Sequence, residues 1–151
     1  MQCGNLLECH SDTGFRAEPD KEGIIDGRSA RGSNYRRMGT DMDGKEICNF
    51  IEAQVGMTKV AVRSTFTSET HGVIATTDGA ICLALTFHEI RQGPVSHSEA
   101  MRLSDESGLS MEIAVVTDAR NILAALKVLN LKIPAEKNFL VHLAWLRYKL
   151  C

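Results

Sequence analysis

Two kinds of hydrophobic pattern divide the chain near its middle. In the first half, Leu6 to His10 is a short apolar run closed by Asp12, and Gly32–Met38 and Glu46–Gln54 read as two further strands. The turn residues Thr40-Asp-Met-Asp-Gly44 join those two. Val60-Ala-Val62 reads either as a strand end or as the lead into a helix. From Glu69 to Gln92 the spacing becomes helical. Val73, Ala80, Ala84 and Phe87 form one apolar stripe, and Ile74, Ile81, Leu85 and Ile90 form its neighbour. Gly72 and Gly79 interrupt this helix at a cost of about 1 kcal/mol each against Ala, which predicts a helix held close against a sheet. Gly93-Pro94 ends it. A polar stretch over 94–109 carries a short helix around Ser98–Leu103.

Met111–Val116 is the clearest strand, with Thr117-Asp118 at its end. A helix follows, with Ile122, Leu123, Leu126 and Leu129 on one face. A last helix begins after Ile133-Pro134 and buries Phe139, Leu140, Leu143, Leu146 and Leu150. This order predicts a mixed α/β fold, with one sheet of about four or five strands and helices packed against it. Leu6–His10 is expected to lie beside Met111–Val116 and parallel to it.

At 151 residues the chain is one domain, and 44% hydrophobic with 24% charged residues is a globular balance rather than a disordered one. A net charge of −2 excludes a wholly basic nucleic-acid binder. The five cysteines are scattered without a CxxC pair, which excludes a disulfide framework and a ribbon-type zinc site. Cys82, in the apolar body of the long helix, is expected to be a small core residue. The N-terminus lacks the charged and apolar regions of a signal peptide. The longest apolar stretch, Gly72–Phe87, contains Asp78 and falls short of the ~20 residues a membrane span requires. The expectation is an intracellular protein, cytoplasmic or nuclear, not secreted and without a membrane partner.

Charge is unevenly distributed. Glu8, Asp12, Glu18, Asp20, Glu22 and Asp26 outweigh Arg16 and Lys21, and directly afterwards Arg28, Arg31, Arg36 and Arg37 occur without an acid among them. Two solvated strands account for this, and so does an acidic site bordered by a basic one. Asp41, Asp43 and Gly44 match part of a calcium loop, but the later ligands are missing and a turn is expected. Three carboxylates remain: Asp12 closing the first strand, Glu69 in the opening turn of the long helix, and Asp118 ending the later strand. Singly, they read as a strand end, a favourable charge at a helix N-terminus and a helix cap. Together, at the C-terminal ends of strands in an α/β sheet, they suit hard divalent cations and phosphodiester chemistry.

The residues around those acids resemble a known family. Val62-Arg-Ser-Thr-Phe-Thr-Ser-Glu-Thr-His-Gly-Val73, continuing to His88-Glu-Ile-Arg-Gln-Gly93, is similar to the glutamate-bearing helix of the ribonuclease H domain of copia-type retrotransposon polyproteins. His10-Ser-Asp-Thr-Gly-Phe15 resembles its first aspartate motif, Arg28-Ser-Ala-Arg-Gly32 its second-strand entry, and Val115-Val-Thr-Asp-Ala-Arg-Asn-Ile-Leu123 its third motif. The order holds from about residue 6 to 150.

The resemblance implies a single RNase H-like domain over 1–151: a mixed sheet of three N-terminal antiparallel strands plus a parallel strand, with packed helices. It implies Asp12, Glu69 and Asp118 as catalytic metal ligands for Mg²⁺ or Mn²⁺, and two-metal hydrolysis of the RNA strand of RNA–DNA hybrids. It also implies an upstream reverse transcriptase domain in the same polyprotein. Arg28, Arg31, Arg36, Arg37, Lys137 and Arg147 are the candidates for backbone phosphates. The family's fourth acid, from a later helix, has no counterpart, since Glu136 is the sole acid after Asp118. The expectation is therefore a domain short of its last catalytic element. An inactive polyprotein fragment that only binds nucleic acid or supports structure is the alternative. An unrelated small-molecule-binding α/β domain is a third reading, without a GxGxxG, Walker or nucleophile-elbow motif to support it. His10 is expected to share a sheet face with Asp12. His71 and His88 are expected to be surface or packing residues, and Trp145 an apolar anchor.

Overall fold

The structure is a computed structural model that describes residues 6–15, 28–58, 64–106, 108–127 and 139–150. Four strands and four helices follow in the order β1 (Leu6–Phe15), β2 (Ser29–Thr40), β3 (Glu46–Met57), α1 (Thr65–Gln92), α2 (His97–Asp105), β4 (Glu112–Thr117), α3 (Arg120–Lys127) and α4 (Phe139–Leu150). Together they form an α/β fold with one mixed sheet, ordered β3-β2-β1-β4. β1, β2 and β3 pair antiparallel, and β4 joins β1 in parallel with Leu6 opposite Glu112 and Ser11 opposite Thr117. The expected parallel neighbour of the first strand is therefore in place.

The β2–β3 turn is built as its residues dictate. Asp41 Oδ1 accepts from the backbone N–H groups of Asp43 and Lys45, each at 2.9 Å, and Gly44 takes φ +78°. Further along the hairpin, Tyr35 faces Glu52 while Arg36 faces Phe50, so Ile51 is an extra residue in β3. That bulge turns Ile51 into the core beside Tyr35.

α1 begins earlier than its apolar stripes suggest. The Ser64 hydroxyl accepts from Thr67 N–H at 3.1 Å and caps the helix, which puts Glu69 in the second turn rather than the first. At the other end Gly93, at φ +97°, donates its N–H to Glu89 O at 2.9 Å, so the expected stop holds.

Two glycines set how α1 meets the sheet. A Cβ at Gly72 would overlap Thr13 Cγ2, and one at Gly79 would overlap the Tyr35 hydroxyl. The α1 face against the strands is correspondingly small and polar: Ser68, Gly72, Thr76 and Ala80 alongside Val73 and Ala84. Its hydroxyls are mostly satisfied within the interface. Thr76 Oγ1 shares a hydrogen bond with Ser33 Oγ at 2.7 Å, while Thr70 and Thr77 donate back to Phe66 O and Val73 O at 2.8 Å.

By length and composition α1 is apolar enough to cross a membrane; in this fold it is the helix that covers the sheet. Cys82 is exposed, not buried as expected, because Ala80 and Ala84 take the sheet-facing positions and the residue between them points away.

Two clusters form the core. Leu7, Cys9, Tyr35, Ala80, Ala84 and Met111 lie between sheet and α1, with Ile113 and Val115 packed against them. Val73, Ala119, Ile122, Leu126, Leu143 and Leu146 join α1 to α3 and α4, with Trp145 at their margin as an apolar anchor. Leu123, expected on the same face, is 40% exposed, since Ile122 and Leu126 already fill the i, i+4 contact. Burial, and secondarily the charge of Glu8, push the Cys9 thiol up to about 12. Val60–Val62, Leu129 and Ile133–Pro134 lie outside the described residues.

Candidate functional site

The β1–β4 pair fixes where two of the three acids stand. Since Ser11 pairs with Thr117, Asp12 and Asp118 follow at neighbouring positions toward the same end of the sheet, but Asp12 does not close β1 as expected: the strand continues to Phe15, with Asp12 opposite Gly32 of β2. α1 runs antiparallel to β1. Its Gly72 lies on Ser11 and Thr13 near that end, while Gly79 lies on Tyr35, the partner of Cys9, and Ala84 joins the cluster around Leu7. Glu69, one turn before Gly72, therefore belongs to the same end of the sheet as the two aspartates. Three acids far apart in sequence converge on one end because a parallel crossover and a returning helix bring them there.

Among the described residues none of these carboxylates is engaged elsewhere. Asp12 and Asp118 are exposed, and neither side chain has a hydrogen bond or ion pair among the described residues. Asp118 does not cap α3. The hydroxyl of Thr117 accepts Ala119 N–H at 3.2 Å, and the carbonyl of Asp118 accepts Arg120 N–H at 2.8 Å. Glu69 is partly buried, and its Oε2 is shut off from solvent without a partner among the described residues, as is the hydroxyl of Ser68 beside it. A carboxylate oxygen enclosed and unpaired is costly unless something binds it.

Direction separates the three. Leu7, Cys9 and Ser11 face α1, and Ser11 and Thr13 flank its Gly72. Strand alternation sends Asp12 to the opposite face of β1, together with Glu8 and His10. There His10 Nε2 meets Glu8 Oε1 at 2.8 Å, so His10 is a satisfied neighbour on the face of Asp12. Among the described residues no three His, Cys, Asp or Glu side chains gather closely enough to hold a metal ion. The donor chemistry suits Mg²⁺ or Mn²⁺, and the enclosed Glu69 oxygen suits a ligand, but the three acids share an end of the sheet without closing a cage.

The arginines do not form one surface. Arg31 and Arg37 point to the α1 side of β2, where Arg37 lies 5.7 Å from the centre of the Phe87 ring. Arg31 lines a cleft of about 340 Å³ with Ser33, Gln54 and Asp78. Arg36 leaves on the other face and its Nε donates to Asn34 Oδ1 at 3.3 Å. Arg28 is exposed at the entry to β2, and Arg147 lies on α4. Lys137 is outside the described residues.

Asp78, at the mouth of the Arg31 cleft, has its carboxyl raised above the usual range by partial burial, with Lys149 offsetting part of the rise. In the sequence Asp78 is only a break in an apolar run. Its placement in a cleft depends on how closely Gly79 lets α1 approach β2, which no local pattern states. Compared with known proteins, the chain matches no family model, no curated protein and no solved structure.

Proposed function

We propose that this chain is an RNase H-like domain of the retrotransposon-polyprotein kind, acting on RNA–DNA hybrids alongside a reverse transcriptase domain. The observation that carries the reading is that Asp12, Glu69 and Asp118, none with a side-chain partner among the described residues, lie toward one end of the β1–β4 parallel pair. In this reading Asp118 and Glu69 would hold a Mg²⁺ or Mn²⁺ ion, while Asp12, on the other face of β1, stands at the same sheet end without closing the set. A divalent cation there supplies water activation and charge neutralisation at the scissile phosphate. The chain's own contribution is position. The rigid sheet fixes the two aspartates, α1 fixes Glu69, and Arg28, Arg36 and Arg147 meet backbone phosphates, with Arg31 and Arg37 reached from the helix side.

A second reading is favoured by the orientation of Asp12, on the face away from α1. Three carboxylates that share an end without a common pocket hold a second ion poorly, and misplacement of that kind costs roughly a hundredfold in rate. The expected behaviour is weak, salt-sensitive hybrid binding with slow cleavage.

Cleavage of a labelled RNA–DNA hybrid in Mn²⁺, by the wild type and Asp118→Asn side by side, tests this. Slow cleavage that Asp118→Asn abolishes, with binding nearly unchanged, supports the nuclease. Hybrid binding without cleavage in either protein leaves the binding-domain reading. Equal cleavage by both removes Asp118 from the site, and no hybrid binding at low salt ends both readings.

A further inference from the structure

Between α1 and the β2–β3 hairpin, the cleft of about 340 Å³ is lined by two opposite charges that do not pair. Arg31 stands on its β2 wall and Asp78 on its α1 wall. No hydrogen bond or ion pair joins them, and neither side chain has one with any other group among the described residues. Lys149 acts on Asp78 only at longer range, its own ion pair being with Asp105 at 2.6 Å. Small residues keep the space open. Gly56 lies opposite Arg31 in the β2–β3 ladder, and a Cβ there would come within 3.9 Å of Arg31 Nε, so the guanidinium begins over bare backbone in the cleft lining. Two neutral groups complete the wall. Gln54 Nε2 donates to Glu52 Oε1 at 3.0 Å, which leaves Gln54 Oε1 as an acceptor. Ser33 is held by the hydrogen bond it shares with Thr76.

A guanidinium and a carboxylate that line one cavity and stay apart match a ligand carrying both charges. Ligand pockets run from roughly 300 to 1,000 Å³, so this cleft suits a small molecule. Arginine takes a carboxylate through two parallel N–H···O bonds. An ammonium brings three donors, enough for Asp78 and Gln54 Oε1 together. We propose that the cleft binds a small amino acid as its zwitterion, the carboxylate on Arg31 and the ammonium between Asp78 and Gln54. Such a ligand neutralises both walls at once. A lone anion would meet Arg31 but also the like charge of Asp78, and a lone cation would meet the reverse. A phosphate of a nucleic-acid backbone falls under the first case, so the proposal does not rest on the nuclease reading.

NMR titration of the isotopically labelled full chain tests this. Glycine, β-alanine and γ-aminobutyrate carry the same two charged groups at growing separation, while acetate, methylammonium and inorganic phosphate carry one kind of charge each. At least one of the three amino acids is expected to saturate, with shifts centred on the Arg31 Nε–H, the Gln54 side-chain amide and the backbone of Asp78. Each single-charge probe is expected to bind about tenfold more weakly or worse. Arg31→Gln and Asp78→Asn, each shown by circular dichroism to fold, are expected to lose about tenfold or more in affinity for that amino acid. Should a variant fail to fold, the probe series on the wild type decides alone. Absence of saturable binding by all three amino acids overturns the proposal. So do phosphate or acetate binding as tightly as the best amino acid, shifts centred outside the cleft, or wild-type affinity in both folded variants. Hybrid binding and cleavage enter none of these readings, so failure here leaves the nuclease reading standing.

Discussion

Gly79 shows how much one missing atom decides. On helix propensity alone, Gly79→Ala should stabilise α1 by about 1 kcal/mol. The new Cβ, however, would overlap the hydroxyl of Tyr35, a ring with no exposed surface. Overpacking costs about 1–3 kcal/mol, so the expected result is a net loss of about 1–2 kcal/mol in urea unfolding. Tyr35→Phe removes the colliding oxygen, and Gly79→Ala is expected to cost less in that background. Strict additivity of the two changes would show that the helix does not sit where described. Asp78 gives a second test. Its carboxyl is raised in the fold, so the folded state holds the proton more tightly than the unfolded one. That stabilisation is present at pH below the ordinary aspartate range and is lost as pH rises through the raised value. Asp78→Asn is therefore expected to flatten the fall in stability over this interval, measured as urea midpoints from pH 3 to 6. An unchanged slope would place the titration elsewhere.

Among the elements, α1 carries the most structure, and its start depends on one side chain. Ser64 Oγ accepts from Thr67 N–H and also meets the Thr67 hydroxyl at 2.9 Å. Ser64→Ala is expected to cost about 1 kcal/mol, with Ser64→Asp restoring most of it. Because Glu69 lies only one turn inside this cap, the alanine variant is also expected to weaken Mn²⁺ effects on Glu69 resonances more than on those of Asp118. Equal loss at both would indicate general unfolding rather than local fraying. The β3 bulge acts at the same scale. It brings Ile51 into the core at the expense of one regular pairing, while Phe50 remains on the far side of the sheet.

At the scale of the whole molecule, α1 packs on one face of the sheet and α3 and α4 pack in turn against α1. The other face bears Phe50, Val55, Met57 and Val116, and Val55 is 87% exposed. An apolar sheet face of this kind promotes self-association. Val55→Lys is expected to reduce light scattering at high protein concentration while moving the unfolding free energy by no more than about 0.5 kcal/mol. A large loss of stability would show that Val55 is covered.

What the sequence determined by itself is local. Strand and helix identity followed from spacing, the stops from Gly44 and Gly93, and the approach of α1 to a sheet from two glycines in an apolar helix. Each of these needs only a residue and its near neighbours. Of the three acids expected at the ends of elements, only Asp118 directly follows its strand, while Asp12 lies inside β1 and Glu69 in the second turn of α1; the parallel β1–β4 pairing expected from that placement is present. What only the tertiary structure decided depends on rotation and on distant partners. Cys82 and Leu123 face out because other residues already occupy the packed positions. Tyr35, Ser33 and Thr76 form a core layer that looks polar in sequence but is hydrogen-bonded or packed in space. Asp12 faces away from α1 because a strand alternates with a period of two, and which parity meets the helix is set by packing Leu7, Cys9 and Ser11 against it. His71 packs near Phe139 and His142 only because α4 returns to α1, a meeting encoded by burial of Leu143 and Leu146 and not by any motif.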